Sequence, residues 1–275
     1  MYGNLYLVST PIGNLEDLTF RAVKILSSVD IILAESIERT YKLLSHYDID
    51  TKVISFNKDN EKRKINNVIA YLKDSKNIAL VSDAGTPCVS DPGFYLLSNL
   101  DEGINITPIP GASSITCALS ISKIPMNGFI FLGFLPKKEN DRKNKLLQVS
   151  STELPLCLFE SKYRLLDLLE DICLVFGEDT MVGLFREMTK IYETVTHKRV
   201  IEHIFDLKKN TPKGEFVVIV APNHHAVPEK PYISIIKRLI LENFSNKDII
   251  ELIKPISTDS KKEIYKTVLS IRQGE

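Results

Sequence analysis

The densest group of residues able to do chemistry is the run Val81-Ser82-Asp83-Ala84-Gly85-Thr86-Pro87-Cys88-Val89-Ser90-Asp91-Pro92-Gly93. Glycine allows close backbone approach, proline fixes turns, and the carboxylates of Asp83 and Asp91 accept hydrogen bonds, so the run suits a ligand loop better than a single turn. It holds no Lys or Arg, which makes it a poor phosphate cradle. Its carboxylates fit a neutral or cationic ligand instead. Other site chemistries lack their signatures: no two glycines are separated by one residue, no Gly precedes Lys-Ser or Lys-Thr, and neither HExxH nor GxSxG occurs. The four cysteines lie apart from one another and from any His at ligand spacing, so they read as buried free thiols, with no metal site.

The elements that must position this loop follow from hydrophobic period. Leu5 to Val8, Val29 to Ala34, Lys52 to Phe56, Ile78 to Val81 and Ile104 to Ile109 read as strands, with helical spacing between them. Such alternation predicts a mostly parallel sheet covered on both faces, an α/β domain over residues 1–114. Ligands then collect beyond the strand C-termini, where Ser9 to Asn14, Ser82 to Pro87 and Pro108 to Ser114 fall. Phe129 to Phe134, Leu154 to Glu160, Met181 to Phe185, Tyr192 to Val200 and Glu215 to Ala221 read as strands of a second, α+β domain over 115–225, with a helix over Tyr163 to Phe176. In the first of these strands Phe129, Phe131 and Phe134 read as core residues. Beyond a boundary at Pro222 to Pro231, residues 230–275 form a small helical tail of three segments, two of them opened by Ser245 and Ser260 as N-caps.

The 275 residues balance 35 basic against 35 acidic side chains and are 44% apolar. Disorder is excluded as a global description, and any surface for nucleic acid must be local. The N-terminus lacks a basic start and an apolar run, and no stretch of 18 apolar residues occurs. A cytoplasmic protein without membrane contact is expected. The acid-bearing loop matches S-adenosylmethionine, which combines hydroxyls, an amino group and a positive sulfur, better than it matches ATP.

Leu7-Val8-Ser9-Thr10-Pro11-Ile12-Gly13-Asn14-Leu15, Ala34-Glu35, Asn60-Glu61, Ser82 to Pro87 and Asp91-Pro92-Gly93 resemble the bacterial 16S rRNA (cytidine-2′-O)-methyltransferase family, a branch of the tetrapyrrole-methylase-like fold. Gly133-Phe134-Leu135-Pro136-Lys137, Phe159-Glu160-Ser161, Arg186 to Lys190 and Lys213-Gly214-Glu215 look like later motifs of that family, so the resemblance spans essentially the whole chain. It implies two α/β domains of the tetrapyrrole methylase type with S-adenosylmethionine in the cleft between them, a homodimer, and methylation of a cytidine ribose 2′-hydroxyl in the decoding region of 16S rRNA, free or within the small ribosomal subunit. By motif position, the cofactor would meet Pro11, Gly13, Asp83, Ala84, Gly85, Val89, Ser113, Ser114, Phe159 and Gly214. Two motifs depart from the family: Ser36-Ile37-Glu38 precedes Arg39-Thr40 where an acidic-Thr-Arg sequence is usual, and Asn57-Lys58-Asp59 stands where His is often found.

Methyl transfer to a hydroxyl needs alignment first and a modest base second. Glu160, Glu187 and Lys190 are the candidates to take the proton or hold the ribose, with Arg186 positioning phosphate; a salt-bridged strand end is the alternative for that segment. RNA affinity needs local positive charge, and the expected rim comprises Arg39, Lys62, Arg63, Lys137, Lys138 and Arg142, within basic stretches at 58–64, 137–145 and 186–199. A tetrapyrrole methyltransferase of the same fold would have no use for that rim. A non-catalytic RNA-binding or ribosome-assembly module would need the rim but not the Asp83 loop.

Overall fold

The computed structural model describes residues 2–210, 213–222, 232–242, 244–257 and 259–273. The first sheet contains β1 (Leu5–Val8), β2 (Ile31–Ala34), β3 (Val53–Ser55), β4 (Ile78–Val81) and β5 (Ile106–Ile109). All its pairings are parallel, in the order β3-β2-β4-β1-β5. Every residue of β2 and β4 is buried, because α1 (Phe20–Ser28), α2 (Ile37–His46), α3 (Glu61–Lys73) and α4 (Phe94–Leu97) supply apolar layers to the sheet. Thr19 and Ser36 cap α1 and α2 through their side-chain oxygens. The strand expected from Val29 begins at Ile31, since the Val29 N–H is used to close α1 on Ile25. β1 lies between β4 and β5, so the chain runs outward to both sides of it and leaves a crevice above its C-terminus.

α5 (Ser114–Ser120) leads into the second sheet, formed by β6 (Ile130–Phe134), β7 (Leu156–Ser161), β8 (Met181–Arg186), β9 (Thr194–Arg199) and β10 (Glu215–Val220). Its order is β6-β7-β10-β8-β9, with β6 and β7 parallel and the other pairs antiparallel. α6 (Glu139–Val149), α7 (Leu165–Phe176) and α8 (Val200–Lys209) bury Leu146, Leu168, Ile172 and Ile204 against one face of the sheet. The other face places Cys157, Phe185, Val217 and Ile219 against Ala118 of α5 and Ile12 of the β1 loop, which joins the two sheets around one apolar cluster. The three tail helices, α9 (Ile233–Leu241), α10 (Asn246–Ile253) and α11 (Lys261–Gln273), share a core of Tyr232, Ile236, Ile249, Ile253, Ile264 and Val268. Ser245 caps α10, and Ser260 and Glu263 bond reciprocally at the start of α11. Residues 223–231 of the expected boundary lie outside the described residues.

Arg142 corrects the sequence reading. It was expected on an RNA-facing loop, yet α6 starts at Glu139 and puts Arg142 one turn before Leu146 on the inward stripe. It is 4% exposed, and its Nε donates to Asp171 Oδ2 at 2.5 Å. Lys143 Nζ reaches the other carboxylate oxygen at 3.6 Å. Removing the acid from this buried pair strands a guanidinium, so Asp171→Ala should lower stability by about 3 kcal/mol. Urea unfolding measures this, and a midpoint unchanged from the parent would show that the pair contributes nothing to the α6–α7 packing.

Candidate active site

The loops after β1 and β4 are tied to each other before any ligand is considered. Thr10 and Gly85 exchange two backbone hydrogen bonds, at 2.9 and 3.0 Å. Thr10 Oγ1 donates to the Ser82 carbonyl, Ser82 Oγ to the Gly85 carbonyl, and Ser9 shares a hydroxyl hydrogen bond with Thr86. These contacts fix the Asp83 carboxylate, which accepts from the Ser36 backbone N–H at 2.9 Å and from Arg39 at 3.1 Å.

The cleft above them encloses about 370 Å³. From the first half it is lined by Ile12, Glu35, Arg39, Asp83, Ala84, Gly85, Val89, Asp91, Ser113 and Ser114, and from the second by Phe134, Phe159, Glu160, Phe185, Glu187, Met188, Lys190 and Val217. The structure therefore brings Asp83, Ala84, Gly85, Val89, Ser113, Ser114, Phe159, Glu160, Glu187 and Lys190 together, as the sequence suggests. Glu35, Asp91 and Glu215 also line the cleft, beyond the residues expected there; the signal for Glu35 is its place directly after β2.

Several expected residues stand elsewhere. Pro11 and Gly13 flank Ile12 without lining the cleft. Gly13 instead allows the second half to close on the first: a Cβ there would stand 2.4 Å from Lys190 Cγ, and the neighbouring Asn14 N–H donates to Thr189 Oγ1. Gly214, at φ +126°, leaves the space that the Glu187 side chain fills, and a Cβ would stand 2.5 Å from Glu187 Cγ. Arg186 is a further correction, because alternation along β8 sends Phe185 into the cleft and Arg186 to the opposite face, beside Leu184 and His203. There its Nε donates to the Lys213 carbonyl. Lys198 and Arg199 pair with Asp206, Asp179 and Glu202, so only Lys190 of the basic stretch 186–199 reaches the cleft. Lys62, Arg63, Lys137 and Lys138 are exposed, and Lys58 donates to the Ser90 carbonyl.

The acids of the cleft fall into two electrostatic groups. Burial, reinforced by the Glu35 charge, raises Asp91 to about 6, while burial and then the Asp83 charge raise Glu35. Glu160 is 2% exposed, and burial likewise raises it. Its Oε1 accepts from Ser161, but Oε2 has no hydrogen bond; Arg164 approaches it to 3.4 Å as an ion pair without hydrogen-bond alignment. Glu187 behaves oppositely. Burial pushes it up, but the Glu215 N–H and the Lys190 ammonium outweigh this and hold it below the usual carboxylate range. Lys190 also reaches Glu215 at 3.2 Å.

Residues 4–203 match the family model described as Tetrapyrrole (Corrin/Porphyrin) Methylases. Fold and cleft thus define a methylase of that type. Solved structures of similar fold include diphthine synthase, with a TM-score of 0.63 and 16% identity over 80% of this chain and 90% of that one. Another is uroporphyrin-III C-methyltransferase from Thermus thermophilus complexed with S-adenyl homocysteine, at 0.58 and 15%, covering 79% and 97%. The sequence is 40% identical to ribosomal RNA small subunit methyltransferase I of Halalkalibacterium halodurans over 96% of this chain and 93% of that protein. It is 43% identical to the protein of the same name from Thermotoga maritima, covering 80% and 98%. The chain belongs to the ribosomal RNA small subunit methyltransferase I family.

The raised Asp91 fixes the sign of one pH effect. Its folded pKa of about 6 lies above the ordinary 3.8, so between those values the folded state holds the extra proton and stability falls as pH rises. Asp91→Asn should flatten the decline in urea midpoint between about pH 4 and 6. An identical slope in parent and variant would show that Asp91 is not the group responsible.

Proposed function

We propose that this chain transfers a methyl group from S-adenosylmethionine to the ribose 2′-hydroxyl of a cytidine in the decoding region of 16S rRNA, acting as a cytoplasmic homodimer on the small ribosomal subunit or its RNA. The observation that carries the reading is the composition of the cleft. Apolar walls from Ile12, Val89, Phe159 and Met188 suit an adenine ring, and the carboxylates Glu35, Asp83 and Asp91 suit hydroxyls and positive charge. The buried Glu160 Oε2 makes no hydrogen bond and is approached only by the Arg164 ion pair, which leaves an acceptor in the cleft. The residues present therefore fit the cofactor. Whole-length similarity to proteins named as rRNA methyltransferases supports the RNA acceptor over a tetrapyrrole, since the tetrapyrrole methylases share the fold at much lower identity. Among the described residues, no helix is long and apolar enough to cross a membrane.

When bound, S-adenosylmethionine supplies an electrophilic methyl on a good leaving group, so alignment dominates and proton removal assists. The loops after β1 and β4 hold the donor side rigidly through their mutual hydrogen bonds. Lys190, clamped between Glu187 and Glu215, orients the acceptor as a fixed positive charge. Glu187 is already neutralised by that pairing and held low, which makes it a weak base. Glu160, raised by burial and with one oxygen free of hydrogen bonds, is the better group to take the hydroxyl proton as the methyl–oxygen bond forms and the methyl–sulfur bond breaks.

Mapping 2′-O-methylation on small-subunit rRNA from cells with and without the gene tests the reading, and the expected result is loss of one modified cytidine. An unchanged map would end it. In the purified enzyme, Glu160→Gln should lower kcat about a hundredfold while changing S-adenosylhomocysteine affinity less than about threefold. Equal losses in both would make Glu160 a cofactor ligand.

A further inference from the structure

Phe134 departs most from its sequence expectation. It is 58% exposed and lines the cleft, although alternation along its strand suggests a core residue. The cause is a β-bulge. β6 pairs Phe131 with Cys157 and then Gly133 with Leu158, so Leu132 is an extra residue and Phe134 comes opposite Phe159. The insertion restores Phe134 to the face that Phe131 shares with Cys157 and Phe159. The three rings form a file: Phe131 meets Phe159 edge-on with centroids 5.1 Å apart, and Phe134 lies tilted at 5.5 Å from Phe159 on the solvent side. Gly133 makes the bulge possible, with φ +60° and a virtual Cβ 2.9 Å from Ser90 Oγ across the cleft. Bulges next to active sites re-aim side chains, and the ring re-aimed here has an unoccupied face over the site.

We propose that Phe134 is the stacking platform for the target nucleobase, unstacked from its RNA neighbours and laid on the exposed ring while its ribose enters the cleft. This rests on the rRNA methyltransferase reading and deepens it. A flat heteroaromatic ring is the shared chemistry of two available ligands, the target base and the cofactor's adenine. The position at the outer end of the file favours the base, since Phe159, Met188 and Val89 already provide inner apolar walls. Charge points the same way: Lys137 and Lys138 are exposed three and four residues beyond Phe134, and Lys58 is bound to Ser90 beside the bulge. Stacking flanked by phosphate contacts is how single-stranded nucleic acid is held.

The test uses the full chain and small ribosomal subunits purified from cells lacking the gene. Phe134→Ala and Phe134→Leu should each lower kcat/KM for subunits about ten- to a hundredfold, and Phe134→Trp should restore it, because the π face and not apolar bulk is needed. Melting temperature, sedimentation mass and S-adenosylhomocysteine affinity by calorimetry should match the parent. A comparable fall in S-adenosylhomocysteine affinity would assign the ring to the cofactor's adenine and overturn the proposal. Full activity of Phe134→Leu would do the same, as would a drop in sedimentation mass, which would place the ring between copies of the chain. If the parent binds S-adenosylhomocysteine yet methylates no subunit RNA, the functional reading itself falls, and the stacking role falls with it.

Discussion

The site depends on how closely the two halves of the chain approach along one seam. On one side of the cleft, Gly13 lies against the Lys190 side chain and the Asn14 N–H bonds to Thr189; on the other, Gly133 lies against Ser90. Neither approach leaves room for a Cβ. Ile12, between Pro11 and Gly13, closes the floor by joining the cluster of Phe185, Met188 and Val217. Strands of the second sheet supply Phe134, Phe159, Glu160, Phe185 and Val217 to the lining, and loops held by these contacts supply the Asp83 and Glu187 segments. The Asp83 loop is held by the β1 loop, the Glu187 loop by Gly214, and Lys190 by Glu187 and Glu215. Cleft geometry is therefore a property of two sheets packed together, and neither sheet could define it alone.

Charge is sorted by depth within this frame. Acids occupy the interior of the cleft, where low solvation raises Glu35, Asp91 and Glu160 together. Lys62, Arg63, Lys137 and Lys138 are exposed and do not line the cleft, while Lys198 and Arg199 are consumed by local pairs. The equal totals of 35 and 35 include surface ion pairs such as Lys42–Glu38, Lys73–Asp101 and Lys208–Glu170, so the acids are not confined to the cleft. Debye screening limits exposed charges to about 8 Å at physiological salt, whereas charges inside the cleft are screened less.

Much of the fold was legible, for a physical reason. Strands buried on both faces must be nearly all apolar, so β1 and β4 were readable to the residue, and the parallel topology followed from their alternation with helices. The site loops were legible because Gly, Pro and Asp concentrate where strands end. What failed was side-chain direction. Arg142 depends on the starting residue of α6, and a shift of one residue turns it by 100°. Arg186 ends β8, where alternation turns it to the face opposite Phe185, while Glu187 lies just beyond the strand at φ +51°. Phe134 was unreadable because Phe-Leu-Gly-Phe-Leu fits a regular strand as well as a bulged one; only the pairing register with β7 distinguishes them.

The backbone carries an independent mark of the same site. Six non-glycine residues have positive φ among the described residues: Asp48, Ser75, Cys88, Ser90, Glu187 and Thr189. Asp48 and Ser75 follow the ends of α2 and α3, where left-handed residues ordinarily terminate helices. The other four have no such cause. They lie in pairs, on the Asp83–Gly93 loop and the Glu187–Lys190 loop, which face each other across the cleft. Each costs on the order of 1 kcal/mol, and such residues persist only where the surroundings over-determine them. Here the surroundings are the two packed sheets and the Gly13–Thr189 and Gly133–Ser90 contacts. The strain is thus concentrated in the two segments whose fixed shape alignment for transfer requires.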